Sequence, residues 1–97
     1  MTQRVKAVKT KIEVTEKHIK EGKPCISSGC PIARAIRSAG FKNPVVYGDI
    51  AYFYKGKTRY TANLPKKVDN FIDRFDTFGH DKTYKPFSFM LVPVVEL

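Results

Sequence analysis

Val68, Phe71, Ile72 and Phe75 recur at i, i+3, i+4 and i+7, a spacing that buries one face of a helix and fits no strand. Near the other end of the chain the period changes. Val8, Thr10, Ile12 and Val14 alternate with Lys9, Lys11 and Glu13, the two-residue period of a strand with one buried and one basic face. A chain of 97 residues supports one core. This strand and this helix therefore share a single domain, residues 1–97, of mixed class.

Cap and turn residues divide the rest. Thr15 reads as the N-cap of a short helical turn through Ile19 and Glu21, stopped by Gly22. Gly22-Lys23-Pro24 and Ser27-Ser28-Gly29 bracket a loop. Pro31 suits the first position of a second helix, with Ile32, Ala33 and Ile36 as its apolar stripe and Gly40 as its stop. Asn43-Pro44 reads as a turn before a short strand at 45–47. The runs 49–54 and 58–62 are β-rich and are separated by Lys55-Gly56-Lys57, a hairpin signal. Asn63 or Leu64 with Pro65 starts the third helix, Gly79 ends it, and 80–85 is a polar loop. Phe87, Phe89 and Leu91 against Ser88, Met90 and Val92 read as a last strand, central in its sheet because both faces are apolar. The order β-α-α-β-β-β-α-β predicts an α+β domain, a mostly antiparallel sheet with helices on one face.

Charge narrows the partners. Lys and Arg number 18 against 9 Asp and Glu, a net +9. Residues 1–42 carry +7 of it, and 43–97 only +2. A positive field of this kind favours phosphate backbones, acidic protein surfaces or anionic lipid heads. The longest apolar run, 89–95, is interrupted by Pro93. It falls far short of the ~20 residues of a membrane span. The start, Met1-Thr2-Gln3-Arg4, lacks the apolar core of a signal peptide. The expectation is a cytoplasmic protein with no membrane contact, its two cysteines reduced.

Cys25-Ile26-Ser27-Ser28-Gly29-Cys30-Pro31 is the densest cluster of unusual residues. Zinc would need about four ligands. Only His18 and His80 could join the cysteines, and they lie far apart without the paired spacing of a zinc motif. A phosphatase-type loop needs Arg six residues after its Cys, and Pro31 stands there. A nucleophilic Cys30 would need a base. The reading is structural: Cys30 caps or packs at a helix start, and Cys25 belongs to the loop or core. No metal, no cofactor and no catalytic residue is assigned. A milder reading is an anion pocket, in which Ser28 and Gly29 lead into the helix amides and Arg34 and Arg37 lie one and two turns along.

The hairpin is the second candidate. Tyr52, Tyr54 and Tyr60 surround Lys55, Lys57 and Arg59. Charge for phosphates and rings for stacked bases are what a nucleic-acid surface needs. Strand alternation sets Lys57 and Arg59 on one face and Tyr60 on the other. Lys9 and Lys11 would extend the surface if the first strand lies beside the hairpin. Asp69, Asp73 and Asp76 run along the polar side of the third helix as a solvated face diluted by Lys66 and Arg74.

Two stretches carry a resemblance. One is Val14-Thr15-Glu16-Lys17-His18-Ile19 with Gly22 and Cys30-Pro31-Ile32-Ala33. The other is Phe71-Ile72 and Phe75-Asp76 with Gly79 and Pro86-Phe87-Ser88-Phe89. In these the chain resembles a loose group of small uncharacterised proteins from phages and bacteria, departing from it in a longer turn at 80–85. The resemblance implies a phage or mobile-element accessory protein that acts by binding, in the host cytoplasm if phage-encoded. It transfers no functional residue. The expected function is a small basic non-enzymatic binding protein that contacts nucleic acid, with a phage-encoded inhibitor or adaptor of an acidic host protein as the alternative. Oligomeric state is not legible, since it depends on whether a strand edge is left open.

Overall fold

The computed structural model describes residues 9–96, so Val8, read as part of the first strand, lies outside the described residues. The elements are β1 (Thr10–Val14), α1 (Glu16–Glu21), α2 (Pro31–Ser38), β2 (Lys42–Tyr47), β3 (Ile50–Lys55), β4 (Thr58–Asn63), α3 (Lys66–Phe78), a 3-10 turn (Gly79–Asp81), β5 (Phe87–Leu91) and β6 (Val94–Val95). The class is α+β. The strands form two antiparallel sheets, β1-β5 and β2-β3-β4-β6.

The split into two sheets corrects the expected single sheet with a central last strand. Pro93 supplies the reason. Thr10 opposite Leu91 is the last pair of the β1-β5 ladder. Pro93 has no N–H to extend a ladder and is itself fully buried. Beyond it the chain joins the other sheet, with Val94 opposite Thr61 and Val95 opposite Tyr60. β5 has one strand neighbour, and its Met90 is 44% exposed.

The larger sheet is a meander closed by two-residue turns. Gly48-Asp49 joins β2 to β3 and Gly56-Lys57 joins β3 to β4, each with glycine first at positive φ (+59° and +63°). Glycine at that position supports a turn whose twist matches the strands it joins. Asn43-Pro44, expected as a turn, is instead an irregularity inside β2, where Asn43 takes φ +51°. Phe53 centres the inner face, 4.7 Å from Phe41 and 6.1 Å from Tyr60 between ring centroids.

Helix α2 lies against β1, β2 and α1. Ile32, Ala33, Ala35 and Ile36 are buried on it. Two alanines in that set let neighbouring backbones approach closely. Helix α3 buries Val68, Ile72 and Phe75, and Phe71 packs with Tyr84 and Phe87. No described helix is long and apolar enough to cross a membrane.

Gly22 is required by space. A Cβ there would lie 2.5 Å from Pro31 Cδ and Cγ and 2.7 Å from the Pro31 nitrogen. Gly22→Ala must push α2 off its seat, and overpacking of this kind costs about 1–3 kcal/mol. The expected outcome is a lower urea midpoint with an unchanged slope.

Helix α1 opens with a capping box in which His18 takes the usual Glu or Gln position. The Thr15 N–H donates to His18 Nδ1 (3.0 Å), and the His18 N–H donates to Thr15 Oγ1 (3.3 Å). Nδ1 accepts, so the neutral ring carries its proton on Nε2, 2.8 Å from Ser38 Oγ. Burial lowers the imidazole pKa below its ordinary 6.5, against weaker upward pulls from the Glu13 backbone and Glu21. The unfolded chain therefore takes the proton more readily. This contribution is present above the ordinary value and is lost as pH falls through the folded one. Urea unfolding at about pH 7.5 and about pH 5 should show a stability loss that His18→Gln, which keeps an acceptor, reduces.

Candidate nucleic-acid interface

Alternation along β2, β3 and β4 leaves an outer face once Val46, Ala51, Phe53 and Ala62 point to the core. The register orders that face in rows. Val45, Tyr52, Thr61 and Val94 stand across from one another, as do Tyr47, Ile50 and Asn63, and Lys42, Tyr54 and Arg59. Lys42 and Val45 are three residues apart, an odd step that plain alternation would send to opposite faces. The irregularity at Asn43-Pro44 inserts the extra residue that returns Lys42 to the side of Tyr54.

The face therefore presents three tyrosines and two cations. Tyr47 is 58% exposed and meets Tyr52 edge-on at 6.4 Å. The Arg59 guanidinium lies over the Tyr52 ring, 4.8 Å from its centroid, and its Nη1 is 2.9 Å from Glu96 Oε1. A shallow depression of about 420 Å³ is lined by Asn43, Val45, Tyr47, Tyr52, Tyr54 and Arg59. Across from Tyr52, Thr61 Oγ1 is a buried hydroxyl without a hydrogen-bond partner among the described residues.

The other residues singled out in the sequence separate. Lys55 ends β3 and Lys57 occupies the turn, so both are exposed at the hairpin tip beside the tyrosine face. Tyr60 points inward, near-parallel to Phe53. Lys9 precedes β1, and Lys11 stands opposite Met90 in the two-stranded sheet, so no ladder joins them to the hairpin. Lys11 instead lines a depression with Glu13, Thr15, His18 and Ser38.

The residues of the expected anion pocket are engaged within the protein. Arg34 Nε donates to the Gly29 carbonyl (3.2 Å), and Arg37 Nη2 donates to the Ser28 carbonyl (3.2 Å). Arg34 also sits 4.0 Å from Glu21. The two guanidiniums tie residues 28 and 29 onto α2, and the amide of Ala33 is taken by Cys30 Sγ (3.4 Å). Asp76, read as part of a solvated face, anchors the same loop by accepting the Cys25 N–H at 2.8 Å.

The histidines hold structural positions. His80 Nε2 donates to the Gly22 carbonyl at 2.9 Å, with its ring edge-on to Phe75. Among the described residues, no three His, Cys, Asp or Glu are arranged to hold a metal ion. Both cysteines are free. Cys30 is the buried N-cap of α2, and burial pushes its thiol pKa up. The thiolate that a helix N-terminus would favour is therefore not the favoured form.

Tyr47 and Lys42 escaped the sequence reading. Tyr47 continues the alternation of Val45 and was legible. Lys42 was not, because its face depends on the β2 irregularity. No family model matches the chain, and no curated protein or solved structure is significantly similar to it.

Cys25 is exposed, and Cys30 is not. Iodoacetamide should label Cys25 alone in the folded protein and both cysteines in denaturant, as counted by mass spectrometry.

Proposed function

We propose that this is a non-enzymatic domain that binds nucleic acid across the outer face of its larger sheet. The observation that carries the reading is the convergence of Tyr47, Tyr52 and Tyr54 with Arg59 and Lys42 on that face. None of the three phenol hydroxyls bonds to another described residue. Tyr47 is the most exposed of the rings, and Arg59, which covers one face of Tyr52 and pairs with Glu96, must shift for a base to stack on that face. Bases stack on such rings regardless of sequence, while the cations meet phosphates. Lys55 and Lys57 at the hairpin tip extend the positive charge along one side. The resemblance adds the expectation of a phage or mobile-element accessory role.

An acidic host protein is the second reading. Ile26, 46% exposed, and Tyr47 line a neighbouring depression, and apolar side chains of this kind anchor protein partners.

Fluorescence anisotropy against labelled single-stranded DNA, duplex DNA and RNA over a salt series tests the first reading. Single strands should bind most tightly, with affinity falling steeply as salt rises. Tyr52→Ala should cost about 1–3 kcal/mol, the range for one stacked base. Arg59→Gln should weaken all sequences alike and flatten the salt slope. Absence of binding at low salt would remove the reading. A lysate partner that survives nuclease would then favour the second.

A further inference from the structure

Helix α3 sorts its polar side chains into two flanks. Asp69, Asp73 and Asp76 follow at i, i+4 and i+7, and Lys67, Asn70 and Arg74 at i, i+3 and i+7. The two series are offset by two residues, so they lie on opposite sides of the buried stripe of Val68, Ile72 and Phe75. Two residues of the acidic flank face the loop before α2 and the turn between β2 and β3. Asp76 holds the Cys25 N–H, and Asp69 Oδ1 is 3.8 Å from where a Gly48 Cβ would sit.

The basic flank faces residues 83–87. Between them runs a groove of about 470 Å³, within the range of small-ligand sites. Its floor is aromatic. Phe71 lies 5.4 Å from Tyr84 and 5.0 Å from Phe87 between centroids. The Tyr84 hydroxyl holds that ring in place, 3.2 Å from the Gly79 carbonyl and 3.3 Å from the Arg74 carbonyl. The rim carries Lys67, Arg74 and Lys85, with Asn70 and Thr83 between them. No carboxylate lines the groove, and none of the three cations is in an ion pair with a described residue.

We infer that this groove binds a nucleotide. Three unpaired cations around a rigid aromatic floor match a ligand that joins phosphate to a flat ring. Guanidinium and ammonium groups take the phosphate, the rings take the base, and the Asn70 amide reads a polar edge. The site shares no residue with the tyrosine face and stands without it.

Amide chemical shifts of isotope-labelled protein titrated with AMP, adenosine and inorganic phosphate test the inference. AMP should give saturable shifts confined to residues 67–74 and 83–87. Adenosine and phosphate should each bind about tenfold more weakly, having lost one half of the contact. Arg74→Gln and Lys85→Gln, both at exposed side chains, should each weaken AMP about tenfold, and the same spectra report whether the variants are folded. Lys20→Gln, at an exposed position on α1, should leave AMP binding unchanged. A single-stranded oligonucleotide that displaces AMP would support the groove with a strand as its source, and one that leaves AMP bound would support it with the free nucleotide. The inference is overturned by no saturation up to about 10 mM AMP, by shifts on the tyrosine face alone, by adenosine or phosphate binding as tightly as AMP, or by unchanged affinity in both groove variants.

Discussion

Ile32, Ala33, Ala35 and Ile36 are nearly closed to water, and the helix that carries them packs on β1 of one sheet and β2 of the other. Two small antiparallel sheets have little reason to stay together unless each buries its apolar face against something shared. Helix α2 is that shared surface. Its seat depends on a backbone contact, since Pro31 fits against Gly22 only because no Cβ intervenes. Its N-terminus is closed by the Cys30 thiol, and its two arginines hold the preceding loop by carbonyls. The loop in turn accepts the Val46 N–H of β2 through Ser27 (2.9 Å). Part of the basic character of the N-terminal half therefore serves packing of this loop.

The same arrangement protects the larger sheet and exposes one face of it. The Ser27 carbonyl partners β2 at one edge, and β6 pairs with β4 at the other. Edges occupied in this way are poor templates for further strands. What remains open is the outer face, where tyrosines stand in place of the small polar residues that a solvated sheet usually carries. The β2 irregularity adds Lys42 to that face at the cost of an asparagine at positive φ, a conformation that asparagine tolerates better than most residues.

Charge is sorted by element more than by halves of the chain. Arg34 and Arg37 are held at loop carbonyls. Helix α3 sends Asp76 to the Cys25 loop and Asp69 toward the Gly48 turn, and sets Lys67 and Arg74 beside Phe71 and Tyr84. Although residues 43–97 carry only +2, they hold most of the cations that lack an acidic or carbonyl partner on the two candidate surfaces. Net charge by segment was therefore a poor guide to where an anion could bind.

The sequence alone determined the α3 stripe, the Thr15 and Pro31 helix starts, the Gly56 hairpin and the α+β class. Each follows from rules that act within a few residues: helical spacing, a cap accepting a nearby amide, glycine at positive φ. It also separated Arg59 from Tyr60 by alternation. Only the tertiary structure decided that Pro93 passes the last strand from one sheet to the other, that Lys11 belongs to a different sheet from Arg59, and that Arg34 and Arg37 face carbonyls. It also placed Lys42 with Tyr54, and Lys67 and Arg74 with Lys85. Those outcomes depend on which distant segment supplies the partner, and local periodicity carries no information about that choice.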